Sequence, residues 1–524
     1  MPSIHIVNPK PSFTGYLDAD ALRDGESGWL FTANLAVATV AALVPAGWDI
    51  RVTDEQIGPI DFDAPADFVA ITGQITQRDR LVQVAAEFRR RGRTVMIGGP
   101  FASLDPEYVR PHADILVTGE LEELAPRLFA DLAAGTWADR NDGGRADIRL
   151  SPLPRWDLYP LESAATGALQ TTRGCPFDCE FCDVIQYQGR KQRHKDIDQV
   201  LAELDALYAR DIRYVFLVDD NFTVHRQFAR AMLEAFVAWN ARHAHDPVRF
   251  TTQASLDIAR DDDMLALCAA AGLRQLFVGI ETVNADSLRE TGKRQNLLLP
   301  MREAIGKIVR SGIGIWAGII VGFDHDGPEI FSELLDFFQE TPIPDLHISV
   351  LTASKATRLH ARLQAEGRLL DRLWEEPFTT NFIPAQMSAE ALCAGARRLA
   401  VASYEAGAFE RRVMNFIGEL GSNDAALQRK AGKPNRRVSM MLKTLGKIAK
   451  RGPAEARMLS NVLAAADRKP HALPHVISYL VDYERARYYL DCEAELARDG
   501  SARGAHGARG HDHDLTERLS VSLR

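Results

Sequence analysis

Short apolar runs alternate with amphipathic stretches through the first 135 residues of the chain. Five runs rich in β-branched and apolar residues predict buried strands: SIHIVN, DIRVTD, DFVAITG, TVMIGG and DILVTG. Between them lie helical patterns such as RDRLVQVAAEFRRRG, which ends at Gly92 as a C-terminal cap. Strand and helix alternating in this way predict a doubly wound parallel sheet, which binds ligands at the carboxyl ends of its strands.

The alternation resumes at residue 168 with longer intervals. The predicted strands are ALQTTRG, YVFLVDD, RFTTQASL, QLFVGIET, IWAGIIVGF and LHISVLT, separated by helical stretches such as DIDQVLAELDALYARD. Six strand–helix units predict a partial (β/α)6 barrel, whose chemistry belongs at the carboxyl ends of its strands.

The composition of the remaining chain completes an α/β fold with a helical end. Residues 141 to 156, NDGGRADIRLSPLPRW, resemble a linker, and the sequence after about 375 is rich in Ala, Leu and Arg. The predicted segments are a doubly wound domain (1–140), a linker (141–166), a partial barrel (167–356), a helical extension (357–497) and a disordered tail (498–524).

Charge and apolar content exclude several classes of partner. The formal net charge of −9 argues against a nucleic-acid partner, because phosphate binding requires clustered Lys and Arg. Apolar runs such as WAGIIVGF are too short to span a membrane, and the N-terminus lacks the pattern of a signal peptide. Single cysteines at 268, 393 and 492 fit a reducing compartment, so we expect a cytoplasmic protein.

Cys175, Cys179 and Cys182 lie directly after the first predicted barrel strand, in TTRGCPFDCEFCD. A disulfide leaves one thiol over, and structural zinc requires a fourth ligand, for which His194 is a candidate. A nucleophile requires one thiolate and a base. The strand–loop context favours the fourth interpretation, an iron–sulfur cluster, which three thiolates would leave with one open iron.

With the motif CPFDCEFC, residues 168 to about 355 resemble the radical S-adenosylmethionine superfamily. The resemblance implies a [4Fe-4S] cluster on the three cysteines, whose open iron chelates S-adenosylmethionine, and Phe181 beside the adenine. In VDDNF it implies Asp220, or as a second choice Asp219, as the partner of the methionine amine. The alternative for this pair is a helix N-cap cluster.

The ends of later strands supply the other residues that the resemblance implies. Gln253 and Ser255 are candidate partners of the methionine carboxylate, Glu281 follows the strand that lines the adenosine, and Gly322 would let the adenine approach. A glycine in a strand can also mark close backbone packing. No side chain is assigned a catalytic role.

The first domain resembles the cobalamin-binding domain of one large class of these enzymes. VMIGGPFASLDPE would place Gly98 and Gly99 against the cofactor, and ILVTGELEELAPRLFADL matches the G-E-x-E turn of that domain. The D-x-H-x-x-G motif is absent, since His5 is expected to be structural and His112 a loop residue. The alternative is a domain retained for structure or substrate contact.

The motifs GCPFDCEFCDVIQYQGRK, VDDNF, RETGKRQN, AGIIVGFD and TNFIPAQMS resemble a subgroup that includes the hopanoid methylases. Lys355 and Ala356 stand where relatives commonly carry Pro–Gly, so a different substrate is expected.

The resemblance implies an enzyme that forms a 5′-deoxyadenosyl radical and, with cobalamin, methylates an unactivated carbon of a small hydrophobic molecule. Flavodoxin or ferredoxin would donate the electron. The alternatives are a radical cyclase or rearrangement enzyme and a non-catalytic iron–sulfur protein. RNA methylthiolation is excluded because the first 150 residues contain no cysteine.

Overall fold

The computed structural model describes residues 1 to 503, except 14, 17–21, 23–28, 372–377 and 423–435. The strands are β1 (Ser3–Asn8), β2 (Leu30–Thr32), β3 (Asp49–Asp54), β4 (Phe68–Thr72), β5 (Thr94–Gly98), β6 (Ile115–Thr118), β7 (Arg140–Asp142), β8 (Ala164–Leu169), β9 (Thr172–Arg173), β10 (Arg193–His194), β11 (Tyr214–Leu217), β12 (Arg249–Ala254), β13 (Leu273–Glu281), β14 (Gly314–Val321) and β15 (Asp345–Val350). The helices are α1 (Leu35–Leu43), α2 (Arg78–Arg90), α3 (Pro100–Leu104), α4 (Pro106–Val109), α5 (Ala125–Ala134), α6 (Val184–Tyr187), α7 (Ile197–Tyr208), α8 (Arg226–Arg242), α9 (Asp262–Ala271), α10 (Ala285–Glu290), α11 (Met301–Arg310), α12 (Ile330–Glu340), α13 (Arg358–Ala365), α14 (Ala389–Ser403), α15 (Ala406–Glu419), α16 (Arg436–Arg451), α17 (Pro453–Asp467) and α18 (Leu473–Arg503).

The first sheet is parallel and doubly wound, as the sequence predicts. Its order is β3-β1-β4-β5-β6-β7, and all of its strand pairs run parallel. Successive residues along β4 enter different cores: Ala70 packs with α1 and α5, whereas Val69 packs with α2. Burial on both faces explains why these strands are apolar throughout.

The second sheet is a parallel half-barrel with the order β15-β14-β13-β12-β11-β8-β2. The sequence predicts six of its strands, although the predicted strand ALQTTRG (168–174) overlaps β8 only at Ala168 and Leu169. The seventh, β2, comes from the first domain and pairs with β8 through Leu30 opposite Ala164. Strand β2 thus lies within the range expected for the first domain, 1–140, but pairs in the second sheet, and its three residues are too few to give a strand pattern in the sequence.

The other predicted boundaries are also crossed by secondary structure. The expected linker contains the end of β7, which belongs to the first sheet, and the start of β8, which belongs to the second. Helices α14 to α18 form the helical extension, in which α15 packs on α17 and α14 on β15. The expected tail begins inside α18, and its remainder, 504–524, lies outside the described residues.

The helices within the described residues do not have the composition of membrane spans. None of them is both long enough and apolar enough to cross a bilayer.

Candidate functional site

The three cysteines lie on the loop between β9 and α6, at the carboxyl edge of the half-barrel. The loop begins at Gly174, whose φ of +95° suits glycine and whose N–H donates to Asp220 Oδ2 at 2.7 Å. The Cys175 N–H donates to the Gly189 carbonyl at 3.1 Å, and a turn joins Cys182 to Cys179. The backbone therefore fixes the loop from both sides.

The thiols are partly or fully buried and none forms a disulfide. Burial raises the pKa of Cys175 to about 11 and that of Cys182 to about 12, and it also raises the pKa of Cys179. The thiols are thus protonated at neutral pH unless a metal binds them. Within the described ranges, no three His, Cys, Asp or Glu side chains converge on a point where one metal ion could bind. A cubane does not need that convergence, because each thiolate binds a different iron.

The two aspartates after β11 have different environments. Asp219 is fully buried and accepts hydrogen bonds from the Thr171 N–H at 2.7 Å, the Thr172 N–H at 3.1 Å and the Thr171 hydroxyl. Asp220 accepts one bond, from Gly174, and burial raises its pKa to about 7. A cation beside Asp220 would favour its ionised form. The geometry supports Asp220 over Asp219 as the amine partner, which stays a prediction.

Ser255 and Gln253 lie at the end of β12, as predicted. Ser255 is buried, and its hydroxyl accepts a hydrogen bond from Asn221 Nδ2 at 2.8 Å. The Gln253 carbonyl accepts from the Phe222 N–H at 2.9 Å, so the backbone of this strand end is tied to the VDDNF turn. The structure brings both residues to the same edge as the cysteines without assigning their ligand.

Glu281 ends β13 in a left-handed conformation, with φ of +64°. Few non-glycine residues adopt this conformation, and they cluster at functional sites. Its carboxylate forms an ion pair with Lys293, at 2.7 Å between Oε1 and Nζ, and both side chains are nearly buried. The strained backbone therefore turns the Glu281 carboxylate towards the segment after α10.

Phe181 of the cysteine loop lies close to Gly322, because it packs on the next residue, Phe323. The Phe181 ring packs on Phe323 with their centroids 5.8 Å apart, in a small apolar core that also contains Leu351 and Leu363. A Cβ at Gly322 would lie 2.7 Å from a methyl group of Leu392, and φ is +109° there. Local packing thus accounts for the glycine, and its expected contact with adenine stays a prediction.

The glycine pair of the first domain lies at the carboxyl end of β5. Gly99 has φ of +91°, and a Cβ there would collide with the Thr72 hydroxyl. A Cβ at Gly98 would meet Val117 at ordinary contact distance, so packing alone does not require glycine there. His5 is fully buried and hydrogen-bonded to Thr53 at 2.8 Å, which confirms its structural role.

Ion pairs join the first domain to strands β9 and β10, which border the cysteine loop. In the G-E-x-E turn, Glu120 contacts Arg173 at 2.8 Å and Arg193 at 2.6 Å, and Glu122 contacts Arg173 at 3.0 Å. Across the same gap, Lys355 after β15 contacts Asp105 after α3 at 2.7 Å. The carboxyl edges of the two sheets therefore face each other.

Sequence reasoning missed three polar residues of this site: Asn221, Lys293 and Gln295. Gln295 donates its side-chain N–H to the sulfur of Cys179, with 3.8 Å between the two atoms. The motif RETGKRQN contains both Lys293 and Gln295, but the sequence offers no sign that it folds beneath the cysteine loop.

The fold and the site together define an α/β enzyme with a cysteine-rich site at the carboxyl edge of a parallel half-barrel. Residues 169–338 match the family model described as the radical SAM superfamily, and residues 357–493 match a domain of unknown function, DUF4070. A hopanoid C-2 methylase of Rhodopseudomonas palustris is 33% identical to the chain over 68% of its length and 69% of the relative's. The chain belongs to the radical SAM superfamily.

Other relatives agree with this assignment. An uncharacterized methyltransferase of Synechocystis sp. is 35% identical over 67% of both chains. The solved radical S-adenosylmethionine methyltransferase TsrM of Kitasatospora setae, with cobalamin and a [4Fe-4S] cluster bound, matches 89% of this chain and 100% of its own at a TM-score of 0.58 and 16% identity. OxsB with aqua-cobalamin bound matches 100% of this chain and 84% of its own at a TM-score of 0.57 and 14% identity. These two structures confirm the predicted fold.

Proposed function

We propose that this protein is a cobalamin-dependent radical SAM methyltransferase that methylates an unactivated carbon of a small hydrophobic molecule. The observation that carries the proposal is the apposition of two carboxyl edges, one from the half-barrel with its three thiols and one from the doubly wound domain. A substrate between the two edges would be within reach of cofactors held by both sheets. The relatives named as methylases and the solved methyltransferases support the same activity.

The residues fit the two cofactors and S-adenosylmethionine. Cys175, Cys179 and Cys182 would hold the cluster, and Asp220 would bind the methionine amine. The edge at Gly98 and Gly99 would receive cobalamin; in the described part of the first domain, neither histidine offers a lower ligand to cobalt at that edge. Bound there, these cofactors would supply an electron for cleavage of S-adenosylmethionine to a 5′-deoxyadenosyl radical, and a methyl group for the substrate.

The protein's own part in this chemistry is to hold, orient and shield. Buried Asp219 fixes the strand end from which the cysteine loop departs, through Thr171 and Thr172. The ion pairs of Arg173 and Arg193 hold the two edges together, and they would thereby set the distance between a methyl donor held at one edge and a radical source held at the other. Burial of the site protects a radical from side reactions with water.

The experiment is anaerobic purification followed by incubation with reductant and S-adenosylmethionine. We expect iron, sulfide and cobalamin in the protein, and 5′-deoxyadenosine with S-adenosylhomocysteine in the products. Cys179→Ala should lose the iron–sulfur absorbance and both products. Deoxyadenosine without S-adenosylhomocysteine or a methylated product would favour a radical cyclase or rearrangement enzyme. Protein that carries an intact cluster but forms neither 5′-deoxyadenosine nor S-adenosylhomocysteine would be a non-catalytic iron–sulfur protein. An electron donor such as flavodoxin or ferredoxin should replace the chemical reductant.

A further inference from the structure

The segment 289–296, RETGKRQN, packs directly beneath the cysteine loop. The Glu180 N–H, inside the cysteine motif, donates to the Thr291 carbonyl at 2.9 Å. At Gly292 a Cβ would lie 2.8 Å from the Asp178 carbonyl, so only glycine permits this approach. The segment is therefore the second wall of the site that holds the three thiols.

Gln295 contacts one of those thiols directly. Its side chain is 5% exposed, and its Nε2 lies 3.8 Å from the sulfur of Cys179. A thiolate can only accept a hydrogen bond, so the Gln295 amide must act as the donor to it. The next residue, Asn296, fixes the segment on β13 by donating to the carbonyls of Gly279 and Ile280 at 2.9 and 3.1 Å.

Lys293 brings a positive charge to the same wall. Its side chain is 12% exposed and paired with Glu281, and a Cβ at Gly279 would lie 2.9 Å from its Nζ. The missing side chain at Gly279 thus leaves the space that the ammonium group occupies. Burial alone would lower the pKa of Lys293, but Glu281 and the neighbouring cysteines raise it above the ordinary value. The charge of Lys293 is therefore retained at neutral pH.

We propose that Lys293 and Gln295 are positioning residues that raise the reduction potential of the cluster held by the three cysteines. This inference rests on the proposed function, since it requires that cluster. Reduction adds one negative charge to the cluster, and a nearby cation and an N–H donor to a ligand sulfur stabilise the reduced state more than the oxidised state. Outer residues of this kind are known to tune metal sites.

The first test is the midpoint potential of Gln295→Leu, measured by EPR-monitored redox titration of the full chain without S-adenosylmethionine. We expect the ratio of reduced to oxidised cluster at a fixed potential to fall about tenfold, a shift of about 59 mV to more negative potential for one electron. Gln295→Glu, which adds a negative charge, should shift further. The matched control is Arg294→Gln, at an exposed position of the same segment, which should keep the potential of the unmodified protein.

The charge is tested in a second set of variants. Lys293→Met removes the cation and leaves the Glu281 carboxylate, so the site gains one net negative charge and the potential should shift in the same direction. Lys293→Met combined with Glu281→Gln removes both charges of the pair and should shift the potential less. Lys293→Arg keeps the charge, and its midpoint potential should stay close to that of the unmodified protein. Unchanged midpoints in Gln295→Leu and in Lys293→Met, at full iron and sulfide content, would overturn the inference.

A measurement on the unmodified sequence covers the case in which the variants lose the cluster. Protein labelled with ¹⁵N in its glutamine side chains should show a ¹⁵N coupling to the reduced cluster in pulsed EPR, and no such coupling would overturn the contact with Gln295. A chain that binds no cluster at all would overturn the proposed function. A bound cluster with unchanged potentials would overturn only this inference.

Discussion

Asp219 and Asp220 show how one peptide bond separates a structural carboxylate from one available to a ligand. Asp219 has its hydrogen bonds filled by Thr171 and Thr172, whereas Asp220 accepts only the Gly174 N–H. The sequence VDDNF alone does not indicate which aspartate has which role. The difference arises because Asp219 reaches the backbone of Thr171 and Thr172, whereas Asp220 reaches only that of Gly174, two residues further along the same segment.

Replacing each aspartate by asparagine should separate these roles. Asp219→Asn places an NH₂ group among donors and should lower the free energy of unfolding by about 3 kcal/mol. Asp220→Asn should cost less than about 1 kcal/mol but weaken S-adenosylmethionine binding about tenfold, about 1.4 kcal/mol. Urea unfolding and equilibrium binding to the cluster-loaded protein measure the two effects. Equal binding by Asp220→Asn and the unmodified protein would remove Asp220 from the site.

Ala356 occupies a backbone position that suits glycine. Its φ is +68°, in the left-handed region, and it is exposed. Relatives were expected to carry Pro–Gly at residues 355 and 356, and the structure gives a physical reason for a glycine there. In this chain, Lys355 instead reaches across to Asp105.

Ala356→Gly should stabilise the protein by about 0.5–1 kcal/mol, because the left-handed strain disappears while only some backbone entropy is added. Chemical unfolding measures the change. The control is Ala361→Gly, an exposed position within α13, which should have the opposite sign and cost about 1 kcal/mol. A loss of stability at both positions would contradict the strain argument.

At the scale of elements, helix α13 binds the cysteine loop to the barrel. Arg362 contacts Glu180 of the cysteine motif at 2.7 Å, Asp324 at 2.6 Å and Glu290 at 3.1 Å. The Leu359 N–H also donates to the Glu180 carbonyl at 3.2 Å. One guanidinium thus joins three elements that are distant in the sequence.

Arg362→Met should lower the free energy of unfolding by about 2 kcal/mol, because four carboxylates, including that of Glu366, lose a shared cation that is 29% exposed. The loop should also retain less iron after desalting. Arg362→Lys should restore little, since an ammonium group lacks the planar fork. The control is Arg302→Met, which breaks an exposed pair with Glu340 and should cost under about 0.5 kcal/mol. An effect of Arg362→Met no larger than that of the control would exclude the role of α13.

The elements were largely predictable from the sequence, and their tertiary contacts were not. Apolar strands such as FVAIT and GIWAGIIV are recognisable in the sequence, because a strand that is buried on both faces is apolar almost throughout. Strand β2 has only three residues and no period to detect. The three cysteines were found from their spacing, but Lys293, Gln295 and Arg362 reach the loop only through folding over distances of 100 residues and more, which local patterns do not encode.

At the scale of the whole molecule, charge holds the two sheets edge to edge. Burial alone would raise the pKa of Glu122, but the charge and hydrogen bonds of Arg173, with a bond from Ser151, lower it below its ordinary value. A carboxyl whose pKa is lower in the folded state stabilises that state above its unfolded pKa, near 4.5, and stops doing so as the pH falls through the folded value.

Glu122→Gln should therefore cost about 2 kcal/mol at pH 7 and progressively less below about pH 4.5. The difference in unfolding free energy between this variant and the unmodified protein, measured in urea from pH 7 to pH 3.5, gives the profile. Glu234→Gln, at an exposed position in the middle of α8, is the control and should give a flat difference near zero. A difference that grows towards acid would reverse the sign assigned to Glu122.

Strand β2 links the two sheets covalently, because it lies between β1 and β3 in the chain and pairs with β8 of the half-barrel. The chain forms strand β2 of the half-barrel at residue 30 and then forms most of the first sheet. It returns to the half-barrel at residue 164, where β8 pairs with β2. During synthesis, Leu30–Thr32 must wait for a partner more than a hundred codons downstream. If the gene were split at residue 141, β2 would lie on one piece and its partner β8 on the other. An exchange of the first domain between relatives would therefore also exchange Leu30–Thr32, which is a strand of the half-barrel.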